Sequence, residues 1–151
     1  MRAKEYLSRA YCIELQVQSK MQQLEVLKSL ACRMSPVMKK DPVRQNRNTS
    51  ALQDTIVKIL EAEEELNRKV DELVDMKLEI AQTIDLVEEM SLRVVLERRY
   101  LQFMSWQQIR EEMNYSQRWV QQQHRDALEA VQEILDAREA EREGTGDVPE
   151  I

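Results

Sequence analysis

The chain has 151 residues, with 22 Lys and Arg against 28 Asp and Glu, a formal net charge of −6. Only 2 Gly and 3 Pro are present, and aromatic residues make up 5%. So few turn formers exclude a β-sandwich or barrel, and the length fits one domain or two small ones, so the expected class is all-α. Apolar runs such as Val94-Val95-Leu96 are far too short to span a bilayer. The first residues mix Arg2, Lys4, Glu5 and Arg9 with apolar side chains, unlike a signal peptide. A cytoplasmic protein without membrane contact is expected.

Residues 3–34 read as one long helix. Ala3, Tyr6, Ala10, Ile13, Val17, Leu24, Leu27, Ala31 and Met34 follow alternating spacings of three and four, interrupted by Lys20. That is a heptad seam, and Leu7, Met21 and Leu30 widen it. Cys12 and Cys32 lie on this helix, too far apart to bridge, and are expected to be reduced and partly buried. Residues 35–49, with Pro36, Pro42 and the run Asn46-Arg47-Asn48-Thr49, read as a loop. Ser50 then looks like an N-cap, with Gln53 completing a capping box.

A second long helix covers residues 51–89. Leu52, Ile59, Leu66, Leu73, Ile80 and Val87 recur every seven residues. Ile56, Val70 and Ile84 supply the companion position, with Glu63 and Lys77 as interruptions. The two helices form an antiparallel coiled-coil hairpin over residues 1–90, or take part in an oligomeric coiled coil. Residues 1–50 carry a net +6 and residues 51–90 a net −8, so oppositely charged helices are expected side by side.

Residues 91–137 change character. Ser91 is a candidate cap for a short helix over Leu92–Leu101. Ser105 opens the next, with Gln108 completing a capping box, through Trp106, Ile109 and Met113. Asn114-Tyr115 makes a turn, since Asn tolerates the left-handed conformation. Ser116 caps a last helix through Val120, Ala127, Leu128, Val131, Ile134 and Leu135. Residues 138–151 read as a charged, disordered tail.

A short capped helix, a tight turn and a longer capped helix make a helix-turn-helix signature. Opposite the apolar face of the last helix lie Gln117, Arg118, Gln121, Gln122 and Arg125. Gln can pair with adenine and Arg with guanine in a bidentate manner. Ser116 and the helix N-terminus suit a phosphate. Arg98, Arg99 and Arg110 are candidates for further backbone phosphates. Over residues 105–125 the net charge is only +1, which fits weak intrinsic DNA affinity assisted by dimerisation or a partner. The alternative for the same unit is a trihelical packing module that binds protein.

Other candidates are weaker. His124 reads as a packing histidine more readily than as a pH sensor. Trp119 lies one position off the core stripe, against the neighbouring coil or against DNA, and Trp106 is expected in the core. The Glu61-Glu63-Glu64-Glu65 cluster is a solvated helix face before it is a metal site. One histidine and no paired cysteines argue against zinc. No nucleophile and base stand at catalytic spacing, and no cofactor loop is visible, so a non-enzymatic protein without metal or cofactor is expected.

The stretch LERRYLQFMSWQQI over residues 96–109, with MNYSQRWV over 113–120 and HRDAL over 124–128, resembles region four of bacterial sigma factors. It is similar, more closely, to the ArpU-type sigma-like regulators of late transcription encoded by phages and prophages. NRNTS at 46–50 and DTIVKI at 54–59 resemble the N-terminal part of such proteins. Arg110 stands where these motifs carry a small residue, and Asn114 where the turn carries glycine. The resemblance implies a phage-encoded, sequence-specific DNA-binding regulator, a late-gene activator acting on double-stranded DNA. Host RNA polymerase and a second copy of the chain, as a dimer, are the further partners it implies. Two other readings fit the same elements, a phage terminase small subunit recognising packaging DNA and a coiled-coil interaction adaptor that binds no DNA.

Overall fold

The computed structural model describes residues 1–34 and 42–145, and of 42–48 the backbone alone. The chain is all-α, and no strand occurs among the described residues. Its elements are α1 (Ala3–Met34), α2 (Pro42–Asp85), α3 (Met90–Leu96), a π-helical turn (Glu97–Leu101), α4 (Trp106–Met113) and α5 (Gln117–Thr145). They group into two compact units, residues 13–73 and residues 1–12 with 74–151. Among the described residues no helix is long and apolar enough to cross a membrane.

In the unit of residues 13–73, α1 and α2 pair antiparallel. Lys20 Nζ lies 3.1 Å from Glu65 Oε2 and Lys28 Nζ 3.4 Å from Glu63 Oε1. The charge contrast between the two helices is therefore met by cross-helix ion pairs, and two of the clustered glutamates serve them. These pairs are solvent-exposed, worth about 0.2–1 kcal/mol each. Ile13, Val17, Leu24 and Leu73 are buried. Met21 and Leu30 do not widen this seam, for both are exposed. Cys12, in the other unit, and Cys32 are exposed too, not partly buried as expected, because both project away from the seam.

The companion position of α2 also differs from expectation. Ile56 and Val70 are exposed, whereas Thr55 and Thr83 are buried. Near the start of the helix the inner face takes the residue three places after Leu52, Thr55, rather than four, whereas near its end both Thr83 and the expected Ile84 are buried. Hydroxyls are accepted there because each finds a partner. Thr55 Oγ1 donates to the Ala51 carbonyl at 2.9 Å within its own helix.

Helix α2 begins at Pro42, and Ser50 sits inside it instead of capping it. Proline is suited to the first helical position, where its missing N–H would find no helical partner. The expected loop therefore extends no further than residues 35–41, which lie outside the described residues. At the other end α2 stops at Asp85, four residues early. Leu86 N–H and Val87 N–H close on the Thr83 and Ile84 carbonyls at 3.2 and 3.0 Å, tightening the last turn. Val87 is buried just beyond it.

The second unit has its core where the short helices meet α5. Val95, Leu96, Ile109, Val120, Ala127 and Val131 are buried at 2% exposure or less. Each large side chain among them contributes about 1.5–3 kcal/mol. Ile80 and Ile84 of α2 and Leu7 of α1 are fully buried as well. Ser91 does not cap α3, whose N-cap is Glu89 with no side-chain capping bond. Its hydroxyl lies instead 3.1 Å from Gln123 Oε1 and ties α3 to α5.

Thr83 is the polar centre of this unit. Its hydroxyl donates to the Glu79 carbonyl at 3.3 Å and accepts from Arg138 Nη1 at 2.8 Å, with Tyr6 Oη also 2.8 Å away. One donor and two lone pairs are all that a hydroxyl has, so it is saturated when Tyr6 donates. These bonds join α1, α2 and α5. They also explain why residues 138–145 are not a disordered tail: α5 continues to Thr145, anchored at Arg138. Residues 146–151 of that expected tail lie outside the described residues. Replacement Thr83→Val keeps the shape and removes all three bonds. A loss of about 1–3 kcal/mol in urea unfolding is expected, because the buried Tyr6 hydroxyl and the half-buried Arg138 guanidinium both lose that partner. An unchanged unfolding midpoint would contradict the central role of this hydroxyl.

Candidate nucleic-acid interface

Helix α4, a tight turn and α5 form the helix-turn-helix arrangement. Ser105 accepts from the Gln108 N–H at 3.2 Å while Gln108 Oε1 accepts from the Ser105 N–H at 2.9 Å, a complete capping box. Asn114 ends α4 at φ 62°, ψ 33°, the left-handed conformation the turn requires. Ser116 Oγ accepts from the Trp119 N–H at 3.2 Å and so caps α5. All three punctuation marks expected from the sequence are in place.

Gln117, Arg118, Gln121, Gln122 and Arg125 are exposed along the first two turns of α5, opposite the buried Val120, Ala127 and Val131. Arg125 Nη2 donates to Gln122 Oε1 at 2.9 Å, and Gln122 Nε2 donates to Asp126 Oδ1 at 3.0 Å. These exposed bonds pre-order the two amide and guanidinium groups without removing them from solvent. Arg110 is half-buried and shares a cavity with Gln117, Gln121, Arg125 and Arg99. Its long side chain reaches into this opening, which accommodates a residue larger than the motif's usual small one.

Arg98 and Arg99 have structural partners. Arg98 Nε is buried 2.9 Å from Glu112 Oε1 but off the hydrogen-bonding direction, so charge attraction holds the pair together. It ties the π-helical turn to α4. A phosphate contact by Arg98 would have to compete with that ion pair. Arg99 Nη1 donates to the Met104 carbonyl at 3.0 Å, and its guanidinium lies 4.7 Å from the Trp106 ring centre.

The aromatic residues sort differently from expectation. Trp106 is half-buried rather than core, wedged between Arg99 and His124, whose ring centre is 4.5 Å away. Trp119 stacks on Tyr115 of the turn at 3.6 Å and 25°. That stack braces the turn. His124 packs as expected, with Nε2 2.7 Å from Tyr100 Oη. Burial, and secondarily Lys4 and Arg99, depress its pKa to about 4. Burial likewise pushes the Tyr100 phenol up to about 12, partly offset by Arg99. Both groups are neutral at pH 7.

Three residues of this region, Lys4, Ser8 and Tyr11, come from α1. They share one helix face at spacings of four and three, a signal visible in the sequence but without a destination there. Among the described residues no group of three His, Cys, Asp or Glu is placed to hold a metal ion.

The pH dependence follows from His124. Its folded pKa lies below the usual 6.5, so as pH falls the unfolded chain takes up the proton first. Stability contributed by the neutral ring is present above pH 6.5 and is lost as pH falls towards about 4. The His124→Gln variant should therefore lose less Tm than the parent between pH 6.5 and 4.5. Parallel Tm profiles would contradict the assignment.

The sequence profile of a family described as "Protein of unknown function (DUF1492)" matches residues 32–132, from the end of α1 through the helix-turn-helix into the middle of α5. No curated protein and no solved structure matches the chain. With about two thirds of its length matched, the chain belongs to the DUF1492 family.

Proposed function

We propose that the chain is a phage-encoded, sequence-specific DNA-binding regulator of transcription that reads the major groove with α5. The observation that carries this reading is the exposed face of Gln117, Arg118, Gln121, Gln122 and Arg125 directly after the Ser116 cap. Residues 113–125 contain no carboxylate, although the chain has 28 acidic residues. A face of amides and guanidiniums, with Asp126 at its edge bonded to Gln122, suits base edges and the phosphates flanking them. The likeness of residues 96–128 to sigma region four supports the same orientation, with α5 as the recognition helix.

Net charge in this region is too low for tight binding by one copy. A dimer, or recruitment through RNA polymerase in the bacterial cytoplasm, raises the effective affinity. Apolar side chains left exposed in the unit of residues 13–73, including Val26, Ile56, Val57 and Leu60, support a second copy as partner. DNA fragments recovered by the purified protein from sheared genomic DNA provide the test substrate. On such a fragment Arg118→Ala and Arg125→Ala should each cost about 1–3 kcal/mol of binding if they read bases. Unchanged affinity in both variants would remove the assigned face.

A further inference from the structure

A cavity of about 770 Å³ opens within the unit that carries the helix-turn-helix. The first turns of α1, the π-helical turn, the loop before α4, α4 itself and the start of α5 all contribute to it. Its volume lies in the range of small-molecule sites, about 300–1,000 Å³. Four cations line it, Lys4, Arg99, Arg110 and Arg125, and no carboxylate does. Acids outnumber bases 28 to 22 in this chain, so a purely cationic lining is a selective arrangement. Like charges around one volume repel, and an anion placed among them relieves that repulsion.

The walls are aromatic as well. Tyr11, Phe103, Trp106 and Tyr100 line the same volume. Two backbone departures meet there. The π-helical turn Glu97–Leu101 carries Arg99 and Tyr100, and such turns recur at functional sites. Phe103 has φ 57°, a left-handed conformation that is strained for a bulky residue. Its ring is fixed by Tyr11, with centres 5.6 Å apart, and by Lys77 Nζ, 4.7 Å from its centre. Neighbouring contacts thus hold a strained residue in the cavity wall.

We propose that this cavity binds a nucleotide, a planar heterocycle carrying phosphate. Arginine and lysine take the phosphate oxygens, the rings take the face of the base, and the amides of Gln107 and Gln117 meet its edge. Gln117, Gln121 and Arg125 belong both to this lining and to the exposed face of α5. A bound nucleotide and duplex DNA therefore exclude one another. This second part rests on the DNA-binding reading, while the cavity's occupancy does not.

The test uses the full chain carrying Trp119→Phe, which leaves Trp106 as the fluorophore. The probes are the four common ribonucleoside monophosphates, their triphosphates and inorganic phosphate. At least one nucleotide should give a saturable change, with inorganic phosphate weaker by about tenfold or more. The Lys4→Ala/Arg110→Ala pair should weaken nucleotide binding by about tenfold or more, through loss of charged contacts. Lys4→Ala alone, at an exposed side chain, should move affinity the same way by less. No saturation with any nucleotide, equal affinity for phosphate, or unchanged affinity in the folded double variant would overturn the proposal. Protein already on DNA should release it when nucleotide saturates, and retention of both together overturns the exclusion. Nucleotide binding by a protein that takes up no DNA supports the cavity and removes the DNA reading instead.

Discussion

The unit that carries the helix-turn-helix depends on one buried hydroxyl. Thr83 of α2 meets Tyr6 of α1 and Arg138 of α5, so three helices distant in sequence are held at one point. A buried hydroxyl is costly without partners and directional with them. The bond from Arg138 fixes the C-terminal half of α5, while α3 and α4 pack on its N-terminal half. A second tie lies nearby, where Gln132 Oε1 accepts the Ala3 N–H at 2.8 Å at the start of α1. These anchors keep the first turns of α1 beside α5. Without them Lys4, Ser8 and Tyr11 would have no place at the cavity, and His124 would lose part of its cover.

Much of this was legible from residue spacing. The heptads of α1 and α2 gave both long helices, because apolar periodicity reports the face a helix must bury. Ser105, Asn114 and Ser116 gave the helix-turn-helix boundaries, because caps and left-handed turns depend on local chemistry alone. What failed was non-local. Of the companion stripe of α2, Ile84 is buried as its spacing predicts, but Ile56 and Val70 are exposed and Thr55 is buried, since a buried threonine looks polar until its partner is known. Ser50 and Ser91 have the composition of caps, but Ser50 lies within α2 and Ser91 in the first turn of α3, where its hydroxyl meets Gln123 of α5. Residues 138–145 looked like tail because Arg138 shows its role only beside Thr83.

The site divides along the same line. The exposed face of α5 follows from helical spacing once Val120, Ala127 and Val131 are taken as core. Whether an arginine is committed elsewhere does not follow. Arg98 is matched to Glu112, and Arg99 to Met104 and Trp106, through contacts made only after the π-helical turn has set their directions. The α1 wall of the cavity was out of reach, because nothing local links residue 4 to residue 125.

Lys4, Arg99, Arg110 and Arg125 gather around α4 and the start of α5 in a chain of net charge −6. Acidic side chains of α2 are partly matched by cations of α1, as in the ion pairs of Lys20 and Lys28. DNA contact would then be confined to a small patch, and the approach of α5 to the duplex is the claim to examine. The most direct measurement places a photo-crosslinking phenylalanine derivative at position 121, in place of the exposed Gln121, and in a second protein at the exposed Asp71 of α2. Irradiation with bound duplex DNA should give a covalent protein–DNA adduct from position 121 and none from position 71. An adduct from position 71 alone, or none from either while DNA is bound, would contradict α5 as the reading helix.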